Sequence, residues 1–160
     1  MMRRCKGKIM VIVVFIIILI VVIYLFTPIG FGRLSLKGEY DVKITVNGRT
    51  LTATMVNNSS SQAFKKMLLK RPKTIRMRDY ASMEKVGMLW KGLPTNNESI
   101  TAKPGDIILY MGNSIVVYYN QNSWNFTKLG HINDATQEEL KEILGNGNVT
   151  MTFELLDKKQ

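Results

Sequence analysis

From Tyr40 to Val46 the chain reads YDVKITV, with Tyr40, Val42, Ile44 and Val46 on one side and Asp41, Lys43 and Thr45 on the other. Alternation with a period of two predicts a strand with one buried face. Asn47-Gly48 follows, the strongest two-residue hairpin signal, and Arg49 to Val56 is the return strand. A two-residue loop sets Val46 against Arg49, Ile44 against Leu51, Val42 against Ala53 and Tyr40 against Met55, so the apolar sides coincide except at the turn pair.

The pattern then changes period. Ser59 to Ser61 offer helix N-caps, and Ala63, Phe64, Met67 and Leu68 fall on one helical face with Lys65, Lys66 and Lys70 away from it. Pro72 ends that helix. Ile75 to Asp79 resumes strand, with Ile75 and Met77 on one side and Arg76, Arg78 and Tyr80 on the other. A loop from Tyr80 to Asn97 is expected next. Ile107 to Met111 is an apolar run, Gly112-Asn113 suits a hairpin turn with Gly first, Ser114 to Asn120 returns, and Trp124 to Leu129 reads as a short strand. Asp134 and Thr136 each open a capping box before a helix through Leu140, Ile143 and Leu144, which Gly145 stops. Val149 to Leu155 alternates as a last strand. Short strands joined by tight turns, with two short helices, predict a mainly β domain, an antiparallel barrel or sandwich with helices at its ends.

The first 26 residues belong to a different regime. Arg3, Arg4, Lys6 and Lys8 precede an uncharged run from Ile9 to Phe26 that contains neither Gly nor Pro. As a helix that run rises about 27 Å, close to the roughly 30 Å of a bilayer core. The flanking charges put the N-terminus in the cytoplasm and the domain outside. The expected organisation is a cytoplasmic basic segment (1–8), a transmembrane signal anchor (9–26), a linker (27–38) and the β domain (39–157). Cleavage as a signal peptide, giving a secreted domain, is the competing expectation, but only Gly30-x-Gly32 offers a site. The membrane is therefore the first expected partner, through residues 9–26.

Charge sharpens one region. Between residues 65 and 91 nine Lys/Arg stand against Asp79 and Glu84, within a chain of formal charge +10. Such a face attracts anionic lipid or envelope polymer, and beside a membrane it names no nucleic-acid partner. Cys5 is the only cysteine and His131 the only histidine, so neither a disulfide nor a metal or other cofactor is expected in the domain. Two clusters carry the remaining chemistry. One is Arg76, Arg78, Tyr80, Glu84 and Lys85. The other is rich in aromatic and amide groups: Tyr110, Asn113, Tyr118, Tyr119, Asn122, Ser123, Trp124 and Asn125. Tyr and Trp pair apolar area with a polar tip, which suits a shallow site for a peptide or small organic ligand. Tyr80, Glu84, Lys85, Tyr110, Asn113, Tyr119 and Trp124 are the candidate ligand-binding residues.

ITVNGRTLTATMVNNSSSQAF, MRDYASMEKVGML, LPTNNESITAKPGDIILYMGNSIVVYYNQNSWNFTKLGHI and NVTMTFEL, taken in order over about residues 41–156, resemble the bacterial cyclophilin-like domain family. The resemblance implies a closed eight-stranded barrel with two capping helices and a pocket on the barrel surface. True cyclophilins are prolyl isomerases whose site pairs the Arg of a Phe-His-Arg motif with an apolar proline pocket. This sequence has no Phe-His-Arg, so the resemblance carries over fold and not catalytic residues. Arg76 or Arg78 would have to supply the guanidinium, beside Met77, Met83, Met88 or Trp90. The expected function is a membrane-anchored extracytoplasmic binding module without catalysis. A prolyl isomerase acting on exported chains and a docking module using the basic 65–91 face are the alternatives.

Overall fold

Asn47 and Gly48 take φ angles of 47° and 74°, the left-handed pair that a type I′ turn needs. They join β1 (Tyr40–Val46) to β2 (Arg49–Met55), and the pairing is Val46 to Arg49, Ile44 to Leu51, Val42 to Ala53 and Tyr40 to Met55, as the alternation requires. The computed structural model describes residues 38–156. The apolar run 9–26, the linker as far as residue 37 and the last four residues lie outside the described residues. Among the described residues no helix is long and apolar enough to cross a membrane.

The remaining elements are α1 (Ser59–Leu68), β3 (Lys73–Tyr80), β4 (Glu84–Met88), β5 (Glu98–Ala102), β6 (Asp106–Tyr110), β7 (Ser114–Tyr118), β8 (Asn122–Ile132), α2 (Gln137–Leu144) and β9 (Val149–Leu155). Hydrogen bonding runs β2-β1-β9-β3-β4-β7-β6-β8 and returns from β8 to β2, with every pair antiparallel. Eight strands therefore close a barrel. β5 stands outside it, paired only with the first half of β8. Closure removes the exposed edges that an open sheet would present.

Three elements depart from the sequence expectation. The Tyr80–Asn97 loop opens with a strand, because Ala81, Ser82 and Met83 turn the chain back so that Tyr80 pairs with Glu84. Ala81 and Ser82 both sit at positive φ without glycine, so the turn has no sequence signature. The β6–β7 turn holds three residues, with Met111 at φ 49° before Gly112 at φ 73°. The expected Trp124–Leu129 strand is the middle of β8, whose eleven residues serve β5 at one end and the barrel at the other. Caps also resolve. Asn58, not Ser59 to Ser61, caps α1, its Oδ1 accepting from the Ser61 N–H at 2.8 Å. Thr136 caps α2 in a reciprocal box with Glu139, while Asp134 accepts the Thr52 N–H.

The barrel interior is filled from inward positions such as Ile44, Met55, Met77, Leu109, Val117 and Phe153. Helices close its two ends. At one end Phe64 of α1 meets Phe153 edge-on, with ring centroids 5.9 Å apart, and the Tyr40 hydroxyl donates to the Ser61 carbonyl at 2.7 Å. Burial pushes that hydroxyl's pKa up to about 12. At the other end of β1 Asn47 Nδ2 donates to the Ile143 carbonyl of α2 at 2.9 Å. A second, smaller apolar cluster of Ala102, Ile108, Val116, Tyr118 and Phe126 lies between β5 and the barrel's outer wall.

Candidate functional site

Strand alternation separates the first cluster of candidate residues into two groups. On β3 and β4 Asp79 and Lys85 pair and turn inward, while Arg76, Arg78 and Tyr80 turn outward. Lys85 is completely buried. Its Nζ donates to Asp79 Oδ1 at 2.6 Å, the Gly147 carbonyl at 2.7 Å and the Gly145 carbonyl at 2.9 Å. An ammonium has three donors, and all three are used. The Tyr119 hydroxyl donates to the same Asp79 oxygen at 2.6 Å, with the Lys85 ammonium 5.3 Å from its ring centroid. The Lys85 and Tyr119 bonds hold the Asp79 carboxyl below its ordinary range, and burial together with that carboxylate raises the Tyr119 hydroxyl. Lys85 and Tyr119 thus close the barrel end and tie down the turn after α2. They do not stand at the mouth of a pocket.

Glu84 lies on the outer wall opposite Tyr118, and Tyr80 lies opposite Glu84 on the next strand. Burial raises the Glu84 carboxyl, and the Tyr118 hydroxyl bond only partly opposes this. Its Oε2 is buried without a hydrogen-bond partner. Burying the charged form is costly. Because the folded pKa is raised, the folded state holds the proton more tightly than the unfolded chain. Glu84 therefore favours folding below its unfolded pKa and loses that benefit as pH rises through the folded one. Glu84→Gln is expected to raise stability at neutral pH by about 1 kcal/mol, with the gain vanishing in acid. Urea midpoints measured across pH check this.

The other candidates scatter. Tyr80 and Trp124 are exposed, the latter on β8 facing Ile100 of β5. Tyr110 is exposed on the outer wall at the end of β6. Arg76 borders a shallow polar cleft with Asn47, Asn148 and Thr150. Met77 points into the core and cannot line an apolar pocket for either arginine. Asn113 works through its backbone: its carbonyl accepts the Leu89 N–H at 2.7 Å, and the Gly112 carbonyl accepts the Leu93 N–H at 2.7 Å. These bonds fasten the 89–94 loop to the barrel. The Ser60 hydroxyl adds a bond to the Pro94 carbonyl at 2.5 Å.

That loop is one wall of a groove of about 950 Å³, and the end of α1 and the start of β3 form the other. The floor is Met67, Ile75, Leu89 and Leu93. Met88 stands at the rim, 59% exposed, with Trp90, which is 95% exposed. Lys66, Lys70, Arg71, Lys73 and Lys91 surround it, and among the described residues no carboxylate lines it. None of the five cations makes an ion pair among the described residues. The basic 65–91 stretch therefore divides: Lys65 and Lys85 are buried, with Lys65 lying 4.9 Å from the Tyr40 ring centroid, while the groove collects most of the rest.

The cyclophilin-like family's sequence pattern matches residues 44–154, from within β1 almost to the end of β9. The chain belongs to the cyclophilin-like family. The solution structure of a hypothetical protein from Archaeoglobus fulgidus is similar to this chain with a TM-score of 0.55 and 11% identity, over 79% of this chain and 100% of that one. At that identity the likeness establishes the fold alone. No curated protein matches the chain.

Within this cyclophilin-like domain the groove is what the sequence did not reveal. Its residues come from α1, the β3 start and the 88–94 loop, which no local pattern links. The sequence signals that bear on it are the basic 65–91 stretch and the neighbouring Met88 and Trp90, which do not by themselves show that α1 forms the facing wall. His131 is explained by its neighbours. Its Nδ1 lies 2.8 Å from Asp106 Oδ1, which Lys128 Nζ also meets at 2.7 Å. Burial alone would raise the Asp106 carboxyl, but the Lys128, Lys103 and His131 bonds outweigh it and hold it low. No hydroxyl nucleophile joins that group among the described residues.

Proposed function

We propose that this cyclophilin-like domain is a binding module without isomerase chemistry, held outside the cytoplasm by the apolar run 9–26, and that the groove beside α1 takes its ligand. The observation that carries the reading is an apolar floor of four side chains ringed by five cations with no carboxylate partner. Such a lining favours a small organic molecule or peptide that combines an apolar body with an acidic group. The domain supports isomerisation poorly. Prolyl isomerisation needs a guanidinium fixed at the prolyl nitrogen as the amide loses its double-bond character. Arg76 and Arg78 face solvent without an apolar pocket. Arg71 borders the groove, but it is exposed and no hydrogen bond holds it among the described residues.

The test uses the full chain in phosphatidylcholine nanodiscs with methyl-labelled methionine. Octyl phosphate is expected to shift Met67 and Met88 saturably and to leave the core residues Met55 and Met151 in place. A Xaa-Pro peptide is expected to show no faster cis/trans exchange. Unmoved groove methyls would sink the binding reading, and accelerated exchange that Arg71→Gln abolishes would replace it with an isomerase.

A further inference from the structure

We infer that the groove docks on anionic phospholipid headgroups of the bilayer that holds residues 9–26, with Trp90 and Met88 entering the interface. This deepens the binding reading and rests on it. Three observations converge. The first is charge. Lys66, Lys70 and Lys91 are exposed, unpaired and on one groove, and each cation near an anionic surface strengthens association about fivefold. The second is Trp90, whose side chain is almost wholly in water yet held on a loop fastened by the Leu89 and Leu93 backbone bonds. A tryptophan in that state suits the headgroup level, where its ring is buried and its N–H stays hydrated. The third is reach. The chain enters the domain at Gly38, whose N–H donates to Asn57 Oδ1 and whose carbonyl accepts from Gln62 Nε2 at the start of α1. From there the ten residues of α1 rise about 15 Å to the groove. The segment 27–37 spans up to about 40 Å when extended, so the groove lies within reach of the bilayer surface.

The occupant is anionic, which excludes the chain's own linker, since Arg33 and Lys37 are its only charged residues. It is also amphiphilic, because a bare phosphate would leave Met88, Trp90 and the floor in water.

The experiment uses the full chain carrying Trp124→Phe, so that Trp90 is the single tryptophan. It is reconstituted in nanodiscs of phosphatidylcholine, with or without phosphatidylglycerol, whose acyl chains are brominated. Strong quenching of Trp90 only when phosphatidylglycerol is present is the expected result. The triple variant Lys66→Gln, Lys70→Gln, Lys91→Gln is expected to need on the order of a hundredfold more anionic lipid for the same quenching, and salt is expected to release the wild type. Quenching equal in neutral discs, or none in either, would overturn the lipid inference. If octyl phosphate still shifts Met67 and Met88 in that case, the binding reading stands and only the lipid is lost. If neither responds, both fall.

Discussion

Lys85→Ala is expected to lower the unfolding free energy by about 3–5 kcal/mol. The ammonium has no exposed surface, so truncation removes a filled volume as well as a charge. It strands the carbonyls of Gly145 and Gly147 and leaves Asp79 with the Tyr119 hydroxyl and the Ser82 backbone but without its cation. Lys85→Met is expected to recover part of the loss, because it refills the volume without the donors. Acid sensitivity separates the electrostatic share. The Asp79 carboxyl is held low, so its contribution is fully present above the unfolded carboxylate pKa and disappears as pH falls through the folded one. The variants are therefore expected to show a flatter acid limb than the wild type in urea midpoints plotted against pH. Equal limbs would mean that Lys85 acts by packing alone.

Gly130→Ala is the second large effect, a loss of about 3 kcal/mol or more. β8 lies between β6 and β2 here, and Gly130 pairs with Ile107 on one side and Met55 on the other. A Cβ there would lie 2.6 Å from Met55 Sδ, 2.7 Å from the Thr54 carbonyl and 3.1 Å from Met55 Cα. Two of those three atoms are backbone, so the seam itself must open. Hydrogen exchange is expected to accelerate first at the seam amides, Ala53 to Met55 and Gly130 to Ile132. Gly92→Ala serves as the control. Its Cβ meets only the Gly112 carbonyl, at 3.9 Å, and the change is expected to stay within about 0.5 kcal/mol. A Gly130→Ala protein with wild-type stability would show that the closure between β2 and β8 is looser than described.

The contrast between these sites shows what a sequence carries. The β1–β2 hairpin is legible because alternation and Asn-Gly are local signals that agree, and its register follows residue by residue. β9 is legible for the same reason. β4 is not: GluLysValGlyMet puts a lysine and a glycine inward and a glutamate outward, and its turn uses Ala81 and Ser82 where glycine or asparagine would announce it. Without the turn, nothing shows that Asp79 and Lys85 face each other, and the lysine reads as surface. The outward direction of Arg76, Arg78 and Tyr80 follows from period two. The groove does not, because its walls are brought together by contacts distant in sequence, the Ser60 bond to Pro94 and the backbone bonds of the 89–93 loop to the β6–β7 turn. Tyr118 is buried in the cluster with Ala102 and Phe126 while Trp124 is exposed, a difference set by tertiary packing.

The place of β9 between β1 and β3 has a consequence for how the domain is made. The first two strands form a hairpin with each other as soon as they emerge, and β3 does the same with β4. β8 links these halves by pairing with both β6 and β2, and the barrel closes only when the last strand, more than a hundred residues after the first, enters between β1 and β3. Contacts of such sequence separation form slowly. During synthesis the chain therefore carries an open wall, with β1 and β3 at its free edges, until β9 is available. The strand order thus makes closure of the barrel wall wait for the last element of the domain.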